Sequence, residues 1–417
     1  MFKVNNRAIP SSDFQSMMDS YAQLVAFQTT VHRCYAICSS DAVLVISLVH
    51  FIRQRGDSVL LLFGETPIDT AKRLAEKAGC VGLFYGVIEQ YVPLDEVETK
   101  DVRLPSLYQF SSGTTGEPKL IGRSWDELAR ETKHYNELLS RYSLGEATPI
   151  ILASITHSYG LITGVFSAME RGIRPVIISG QNPKSILQSI IRIPNHIIYA
   201  VPSLLAGLAP LFEYSAIQLN AVISSGAPMS SGLFEEYRAK TKRMIQQYGC
   251  TEAGCVSLAV DMESYDDLGE TLGHISVLAD SDPAELRIQI IGGVQLATGD
   301  LGHRAVSGRL RFLGRIDDLI NVAGLKVMPL EVEEVICKLA GVSEAVVYRG
   351  SHPLAGDIVR AQVRADANAS ITAEQVREWC MRELPTYKVP TDVQIVTSIQ
   401  KMPSGKISRK LLEQGEV

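Results

Sequence analysis

Apolar and polar positions alternate along the first three hundred residues in two distinct rhythms. Short apolar runs such as 59–63, 149–154 and 197–201 predict buried strands, whereas the longer mixed stretches 43–53 and 183–191 predict helices. The same criteria predict further helices over 70–78 and 203–212 and further strands over 81–85, 175–178 and 221–224. Because strands that alternate with helices form parallel sheets covered by helices, the pattern predicts an α/β fold.

The pattern changes twice in the rest of the chain. Over 269–313, short apolar runs meet frequent glycines, which predicts a β-rich subdomain. Beyond a boundary near 314–318, the pattern predicts a compact α+β unit. Its predicted elements are helices from Pro329 and from Thr372 to about Leu384, and strands over 345–349 and 358–365. We therefore expect a large domain of layered sheets and helices over residues 1–315 and a small C-terminal domain over residues 316–417.

Charge and cysteine content narrow the possible functions. The net charge of −6 argues against a general binder of nucleic acid or of anionic membranes. The apolar run 42–52 is too short to span a bilayer, and no signal peptide is evident, so membrane insertion is not expected. The seven cysteines are scattered and contain no zinc-binding pattern. Reduced thiols in a cytoplasmic protein are therefore expected.

One polar segment, residues 111–119, carries the strongest indication of chemistry. It reads Ser-Ser-Gly-Thr-Thr-Gly-Glu-Pro-Lys, and its backbone N–H groups and hydroxyls can surround phosphate oxygens. A flexible surface turn would have the same composition. The spacing does not fit the phosphate loop of kinases and GTPases, which needs Gly-x-x-x-x-Gly-Lys-Ser/Thr. The candidate phosphate-binding residues are Ser111, Ser112, Gly113, Thr114, Thr115, Gly116 and Lys119.

Two further segments contain groups that suit a nucleotide. Residues 248–252, Tyr-Gly-Cys-Thr-Glu, combine a hydroxyl and a carboxylate with a glycine that lets a ligand approach the backbone. Residues 225–228, Ser-Gly-Ala-Pro, can form a slot of the size of adenine. A strand end with a helix N-cap, and a simple glycine bend, are equally good interpretations of the two segments in isolation.

Three charged residues in the last third of the chain are also candidates. Asp300, in Thr-Gly-Asp, can accept two hydrogen bonds from a ribose diol, and Arg315, in Gly-Arg-Ile-Asp-Asp, can add a contact to ribose or phosphate. A surface ion-pair cluster at a turn is the alternative. Lys406 follows a glycine in Met-Pro-Ser-Gly-Lys, which by composition alone is a solvated basic tail.

The order of these motifs resembles that of the adenylate-forming superfamily, which contains acyl- and aryl-CoA synthetases, peptide-synthetase adenylation domains and luciferases. The phosphate segment is followed by Tyr-Gly-x-Thr-Glu, Thr-Gly-Asp, Gly-Arg-x-Asp-Asp, Gly-x-x-x-x-Pro-x-Glu-Val-Glu and Pro-x-Gly-Lys. Each motif is weak alone, but six in this order are very specific. The resemblance runs from about residue 105 to the C-terminus, whereas residues 1–104 carry no motif and are shorter than the family's usual N-terminal region.

The resemblance implies a role for each matching residue. The phosphate segment would hold the β- and γ-phosphates of ATP, and Lys406, on a mobile C-terminal domain, would reach the substrate carboxylate and the α-phosphate. Thr251 would contact the α-phosphate, and Glu252 would bind Mg²⁺. Asp300 and Arg315 would bind the ribose hydroxyls. The other implied positions are Gly226, Ala227, Pro228, Tyr248 and Gly249 at the adenine, Asp317 at the domain hinge and Gly324 at the thiol tunnel.

The family's acid pocket corresponds to the segment that contains His157, Ser158 and Tyr159. Relatives that activate amino acids carry an aspartate there, which pairs with the substrate ammonium, and Ser158 takes its place here. Because a buried ammonium without a counter-charge is costly, an aryl or acyl acid is expected rather than an α-amino acid. The alternative is a register shifted by one or two residues, with His157 as a hydrogen-bonded core histidine.

The expected reaction is ATP-dependent activation of a carboxylic acid to an acyl-adenylate, with release of pyrophosphate, followed by transfer to a pantetheine thiol. The acceptor would be CoA or the phosphopantetheine of an acyl carrier protein. Catalysis then consists mainly of neutralising and aligning two anions. Transfer to an amine, or arrest at the adenylate, is an alternative, as is an inactive binding protein on this fold. Asn321 departs from the family's usual lysine, which puts contacts in the thioester state in doubt.

Overall fold

The computed structural model describes residues 1–28, 32–95, 104–111, 119–213, 217–293, 295–352, 356–366, 369–402 and 407–415. Within these residues there are eleven α-helices and twenty-four strands, which form three sheets. The α-helices are α1 (Ser11–Ala22), α2 (Ala42–Gln54), α3 (Ile68–Lys77), α4 (Trp125–Arg141), α5 (Ser167–Glu170), α6 (Pro183–Ile191), α7 (Pro202–Glu213), α8 (Ser231–Lys240), α9 (Pro329–Cys337), α10 (Ala373–Glu383) and α11 (Arg409–Gln414). The strands are β1 (Phe2–Val4), β2 (Arg7–Ile9), β3 (Cys34–Cys38), β4 (Ser58–Leu62), β5 (Gly82–Tyr85), β6 (Tyr91–Pro93), β7 (Ser106–Ser111), β8 (Lys119–Ser124), β9 (Thr148–Ile151), β10 (Val176–Ile177), β11 (His196–Ala200), β12 (Leu219–Ser224), β13 (Thr241–Cys250), β14 (Gly254–Val260), β15 (Asp267–Thr271), β16 (Ile275–Leu278), β17 (Ala284–Ile290), β18 (Gln295–Arg304), β19 (Leu310–Arg315), β20 (Ile320–Val322), β21 (Leu325–Val327), β22 (Val342–His352), β23 (Gly356–Ala365) and β24 (Asp392–Val396).

The first sheet has the strand order β6-β5-β3-β4-β7-β8. β5, β3, β4 and β7 run parallel, and β8 returns antiparallel to β7. The residues of β4 are all buried, as is typical of a parallel strand covered on both faces. The β7–β8 hairpin pairs Ser111 with Lys119, so the two ends of the phosphate segment lie side by side.

The second sheet has thirteen strands in the order β16-β17-β18-β19-β15-β14-β13-β12-β11-β9-β10-β1-β2. From β13 to β10 the strands are parallel, and from β13 to β16 they are antiparallel. The antiparallel part is the β-rich region that the glycine-rich pattern over 269–313 predicts. β1 joins the opposite edge by pairing in parallel with β10, where Lys3 lies opposite Val176.

The main core lies between these two sheets. Its buried apolar side chains come from α1, α2 and α4 and from the strands of both sheets. α2 is buried along most of its length, and Asp41 caps it by accepting a hydrogen bond from the Val43 nitrogen at 2.8 Å. Ser124 and Glu127 form a capping box at the start of α4. No helix of the described residues has both the length and the apolar character that crossing a bilayer requires.

The C-terminal residues form a third sheet, β21-β20-β23-β22, with β24 beside β23. α9 and α10 pack on it around a separate apolar core. Arg409, at the start of α11, donates hydrogen bonds to Asp318 at 2.9 Å and to Glu333 at 2.7 Å, which ties α11 to α9. β19 belongs to the second sheet and β20 to the third, and the 3₁₀ turn Ile316–Asp318 lies between these two strands. The predicted α/β fold with an α+β C-terminal part is thus confirmed.

Candidate active site

The phosphate segment connects the adjacent strands β7 and β8 of the first sheet. Ser111 is half-buried at the end of β7, and Lys119 is exposed at the start of β8. The predicted residues between them lie outside the described part of the chain, as does Lys406. These residues are Ser112, Gly113, Thr114, Thr115 and Gly116.

Two candidate nucleotide segments lie side by side at the carboxyl ends of β12 and β13. These strands are parallel, and Ser224 lies opposite Gln246. Residues 226–228, the predicted Gly226, Ala227 and Pro228, follow β12 directly, and the Ser225 hydroxyl donates to the Gln247 carbonyl at 2.9 Å. Gly226 has φ +91°, so the backbone itself requires glycine here.

The strongest polar cluster of the site joins Tyr248, Asp300 and Arg315. The Tyr248 hydroxyl donates to Asp300 Oδ2 at 2.6 Å, and Arg315 Nη1 donates to Asp300 Oδ1 at 2.8 Å. Burial and the Asp300 charge raise the pKa of Tyr248, so this hydroxyl stays a donor. Burial alone would lower the pKa of Arg315, but Asp300 outweighs it and raises that pKa. The two predicted ribose ligands therefore lie in direct contact, with the predicted adenine neighbour beside them.

The turn between β13 and β14 carries Thr251 and Glu252, both half-buried. Gly249, just before it, lies at a β-bulge, and a Cβ there would overlap the Gly254 carbonyl oxygen. The chain's own backbone therefore requires glycine at this position, and the expectation that Gly249 also lets a ligand approach stays a prediction.

The hydroxyl of Thr251 and the carboxylate of Glu252 suit Mg²⁺ better than they suit a metal ion that is coordinated by protein side chains alone. Among the described residues, no group of three or more His, Cys, Asp and Glu side chains is placed to hold a metal ion. Mg²⁺ typically takes one or two carboxylates and completes its shell with phosphate oxygens and water. Glu252, with Thr251 beside it, fits that pattern.

The candidate acid pocket starts at Ser158, which donates to Gln109 Oε1 at 2.5 Å. Gln109 in turn donates to the Thr156 carbonyl at 2.7 Å, so this neutral polar pair is fixed in place. His157 is exposed, and its interpretation as a core histidine is therefore wrong. Tyr159 is the first residue of a π-helix, Tyr159–Phe166, and its hydroxyl donates to the Ile223 carbonyl at 2.7 Å. That bond joins the pocket segment to the end of β12, near Gly226.

The candidate hinge and thiol-tunnel residues lie at the start of the third sheet. Asp317 is exposed, 3.6 Å from the Arg315 guanidinium. Ala323 and Gly324 have φ +49° and +89° in the β20–β21 turn, which explains glycine at 324 without a ligand. Asn321 accepts a hydrogen bond from the Gly324 nitrogen at 2.9 Å, so the residue that replaces the family's lysine stabilises this turn.

Three features of this region were not predicted from sequence. Gln109 carries no chemical signal in the sequence, because its bond to Ser158 joins residues far apart in the chain. Glu334 of α9 accepts a hydrogen bond from the Ser231 nitrogen at the start of α8, 3.0 Å away, which joins the third sheet's unit to the second sheet's. His274 stacks on His134, with ring centroids 5.0 Å apart. Burial and the neighbouring His134 lower the pKa of His274 to about 4.

The fold and these side chains fit one class of protein, the ATP-dependent enzymes that activate carboxylic acids. Comparison with known families agrees and is more specific. The AMP-binding enzyme model matches residues 32–287, and the AMP-binding enzyme C-terminal domain model matches residues 331–406. The chain therefore belongs to the AMP-binding enzyme family, and the resemblance extends upstream of the motifs into the residues that carry none.

Individual relatives and structures are similar along the whole chain. A 3,4-dihydroxybenzoate–aryl-carrier protein ligase from Bacillus anthracis is 44% identical over 420 residues, 100% of both chains. A 2-succinylbenzoate–CoA ligase from Bacillus velezensis is 26% identical over 92% of this chain and 80% of its own. The fold matches an o-succinylbenzoate coenzyme A synthetase from Bacillus subtilis, solved with AMP, with TM-score 0.82 at 20% identity, covering 99% of this chain and 95% of that one.

These findings establish the reaction class. The chain is an AMP-forming acid–thiol ligase, which activates an aryl or acyl carboxylic acid with ATP and then transfers it to a thiol. The predicted family, fold class and reaction are confirmed. The roles of the individual residues remain predictions.

Proposed function

We propose that the acid is a dihydroxybenzoate and that the acceptor is the phosphopantetheine thiol of an aryl carrier protein. The observation that carries the proposal is the 44% identity, over the full length of both chains, to a ligase named for that acid and that acceptor. A cytoplasmic location, where the free cysteines would stay reduced, belongs to the same proposal.

The acid-pocket segment supports an aromatic acid that carries no ammonium group. Ser158 and Gln109 form a neutral hydrogen-bonded pair where a relative that activates amino acids has a carboxylate. Neutral oxygens can exchange hydrogen bonds with phenolic hydroxyls, whereas an ammonium group would find no counter-charge there.

Each candidate residue has a definite task in this reaction. Tyr248 and Arg315 hold Asp300 in place to accept hydrogen bonds from the ribose, and the phosphate segment holds the leaving pyrophosphate. Thr251 contacts the α-phosphate. Glu252 binds Mg²⁺, which when bound supplies positive charge to the phosphates. Lys406 neutralises the substrate carboxylate and the α-phosphate as the two anions meet.

We propose that residues 1–315 and 316–417 form two domains that move about Asp317. The change of sheet between β19 and β20 supports this boundary. Asp317→Pro would stiffen the hinge, so it is expected to slow thioester formation far more than adenylation. Equal loss of both steps would refute the hinge role.

The substrate is tested by ATP–pyrophosphate exchange across dihydroxybenzoates, monohydroxybenzoates, benzoate, cinnamates, fatty acids and amino acids. We expect the largest kcat/KM with a dihydroxybenzoate. Faster exchange with a fatty acid or an α-amino acid would refute the acid. The acceptor is tested by mass spectrometry of a holo aryl carrier protein, CoA and an amine offered in separate reactions. Preferential loading of CoA or of the amine would refute the carrier-protein acceptor.

The assignment of Lys406 has its own test. Lys406→Ala is expected to abolish exchange, because the charge that neutralises the two anions is lost, and to leave the melting temperature unchanged. Lys401→Ala is a matched control, since Lys401 is a nearby lysine in the sequence and pairs with Glu344 at 2.6 Å. Exchange at the wild-type rate in Lys406→Ala would contradict the assigned role.

A further inference from the structure

A buried ion pair lies directly behind the turn that carries Thr251 and Glu252. Arg123 of β8 donates to Glu131 of α4, and their exposed fractions are 6% and 0%. Burying such a pair gains little stability compared with apolar side chains of the same size. Stability alone therefore does not account for its presence, and its neighbours indicate another purpose.

The pair contacts the first residues of β14 from two sides. Glu131 Oε1 accepts a hydrogen bond from the Cys255 nitrogen at 2.8 Å. Gly254 has φ +72°, and a Cβ on it would overlap both Arg123 and Glu131. The ion pair therefore packs against the backbone two and three residues after Glu252, so it fixes where the turn ends.

The same pair is anchored on the strand that leaves the phosphate segment. Arg123 and Lys119 both belong to β8, and in a strand residues four apart project from the same face. The Arg123–Glu131 pair, through the bond from the Cys255 nitrogen to Glu131, thus links the first sheet, which carries the phosphate segment, to the second sheet, which carries Glu252. Arg123 Nη1 is buried without a hydrogen-bond partner among the described residues, so this side chain retains an unsatisfied donor there.

We propose that Arg123 and Glu131 are positioning residues for MgATP, which set the distance between Lys119, where the phosphate segment meets β8, and the Thr251–Glu252 turn. The inference rests on the proposed roles of those two segments. A triphosphate that spans them binds well only when both are in register, whereas AMP has only the α-phosphate assigned to Thr251 and does not need the contact with Lys119.

The test compares MgATP with AMP in a variant that retains the packing. Arg123→Met combined with Glu131→Leu replaces the pair by apolar side chains of similar volume, which proteins commonly tolerate. Binding is measured on the full chain by calorimetric titration and by ligand-induced shift of the melting temperature, without any acid present. We expect MgATP affinity to fall at least tenfold and AMP affinity to change less than twofold. Arg141→Met, which breaks the exposed Arg141–Glu270 pair on the same helix, is the control and should change neither.

Several outcomes would overturn the inference. Unchanged MgATP affinity, or equal loss for MgATP and AMP, would mean that the pair is merely structural. If the double variant does not fold, Glu131→Gln decides, because it keeps an oxygen acceptor for Cys255 and loses only the ion pair; the same selective loss for MgATP is expected. A wild-type chain that binds neither nucleotide would refute the proposed function itself, whereas wild-type binding with no selective loss in the variants refutes this inference alone.

Discussion

Replacing Asp300 by asparagine removes a charge from the candidate ribose site while leaving its volume almost unchanged. The carboxylate is buried and accepts hydrogen bonds from Tyr248 and Arg315. An amide offers one oxygen instead of two, so one of these donors loses its acceptor. We expect the oxygen to stay with Arg315, because the Tyr248 hydroxyl can turn and accept from the amide nitrogen.

The expected effect on nucleotide binding follows from the lost charge. A hydrogen bond to an ionised acceptor is about twice as strong as a neutral one, so ribose contacts should weaken by roughly 1–2 kcal/mol. That corresponds to an ATP KM about 5- to 30-fold higher, with KM for the acid nearly unchanged. Loss of the ion pair with Arg315, whose side chain is 38% exposed, should lower the folding stability by only about 1 kcal/mol.

The assay is ATP–pyrophosphate exchange with ATP varied at saturating acid, together with thermal unfolding. Asp267→Asn is the matched control, because Asp267 is a fully buried carboxylate of β15 that pairs with Arg309 at 2.9 Å, away from the site. We expect the control to lose at least as much stability while its ATP KM stays within twofold of the wild-type value. An ATP KM within twofold for Asp300→Asn as well would refute the ribose assignment.

Three further predictions concern stability. The pKa of His274 is lowered from 6.5 to about 4, so the unfolded chain binds more protons between pH 4 and 6.5, and stability should rise with pH across that window; thermal unfolding at a series of pH values should show about 3 kcal/mol of this dependence, and His274→Gln should remove it. Gly254→Ala should lower the unfolding free energy by about 2–4 kcal/mol in urea, because the new Cβ meets Arg123 at a positive φ; an unchanged midpoint would contradict the packing described. Arg409→Met should leave Glu333 and Asp318 without their ion-pair partner and cost about 3–5 kcal/mol, seen as faster proteolysis among the C-terminal residues; wild-type cleavage rates would disprove it.

Local patterns predict most of this fold, since most elements are defined by residues near one another in the chain. The predicted helix over 43–53 is α2, and the predicted strand over 197–201 is β11, each within about one residue of its ends. α4 was not predicted, although its Ser-x-x-Glu capping box is visible beforehand. The addition of β1 to the thirteen-stranded sheet is not visible locally, because its partner β10 lies more than 170 residues further on.

The candidate site likewise contains residues that the sequence predicts and contacts between them that it does not. Asp300 and Arg315 are predicted separately as ribose contacts, and the β18–β19 pairing then brings them into direct contact. The bond from Tyr248 to Asp300 spans 52 residues and has no local signature. The Arg123–Glu131 pair also escapes prediction, because each residue alone resembles the ordinary charge of a surface strand or helix.

The π-helix Tyr159–Phe166 bears on how this chain is compared with its evolutionary relatives. A π-helical turn holds about one residue more than an α-helical turn, so each successive side chain is rotated differently about the helix axis. Where a relative has an ordinary α-helix, a column-by-column alignment will match residues that point in different directions. Substrate preferences inferred from aligned pocket residues will then be misassigned by one position. Superposing the structures on the hydrogen bond between the Tyr159 hydroxyl and the Ile223 carbonyl identifies equivalent pocket residues by their positions in space. The correct alignment of the segment can then be chosen from measured distances.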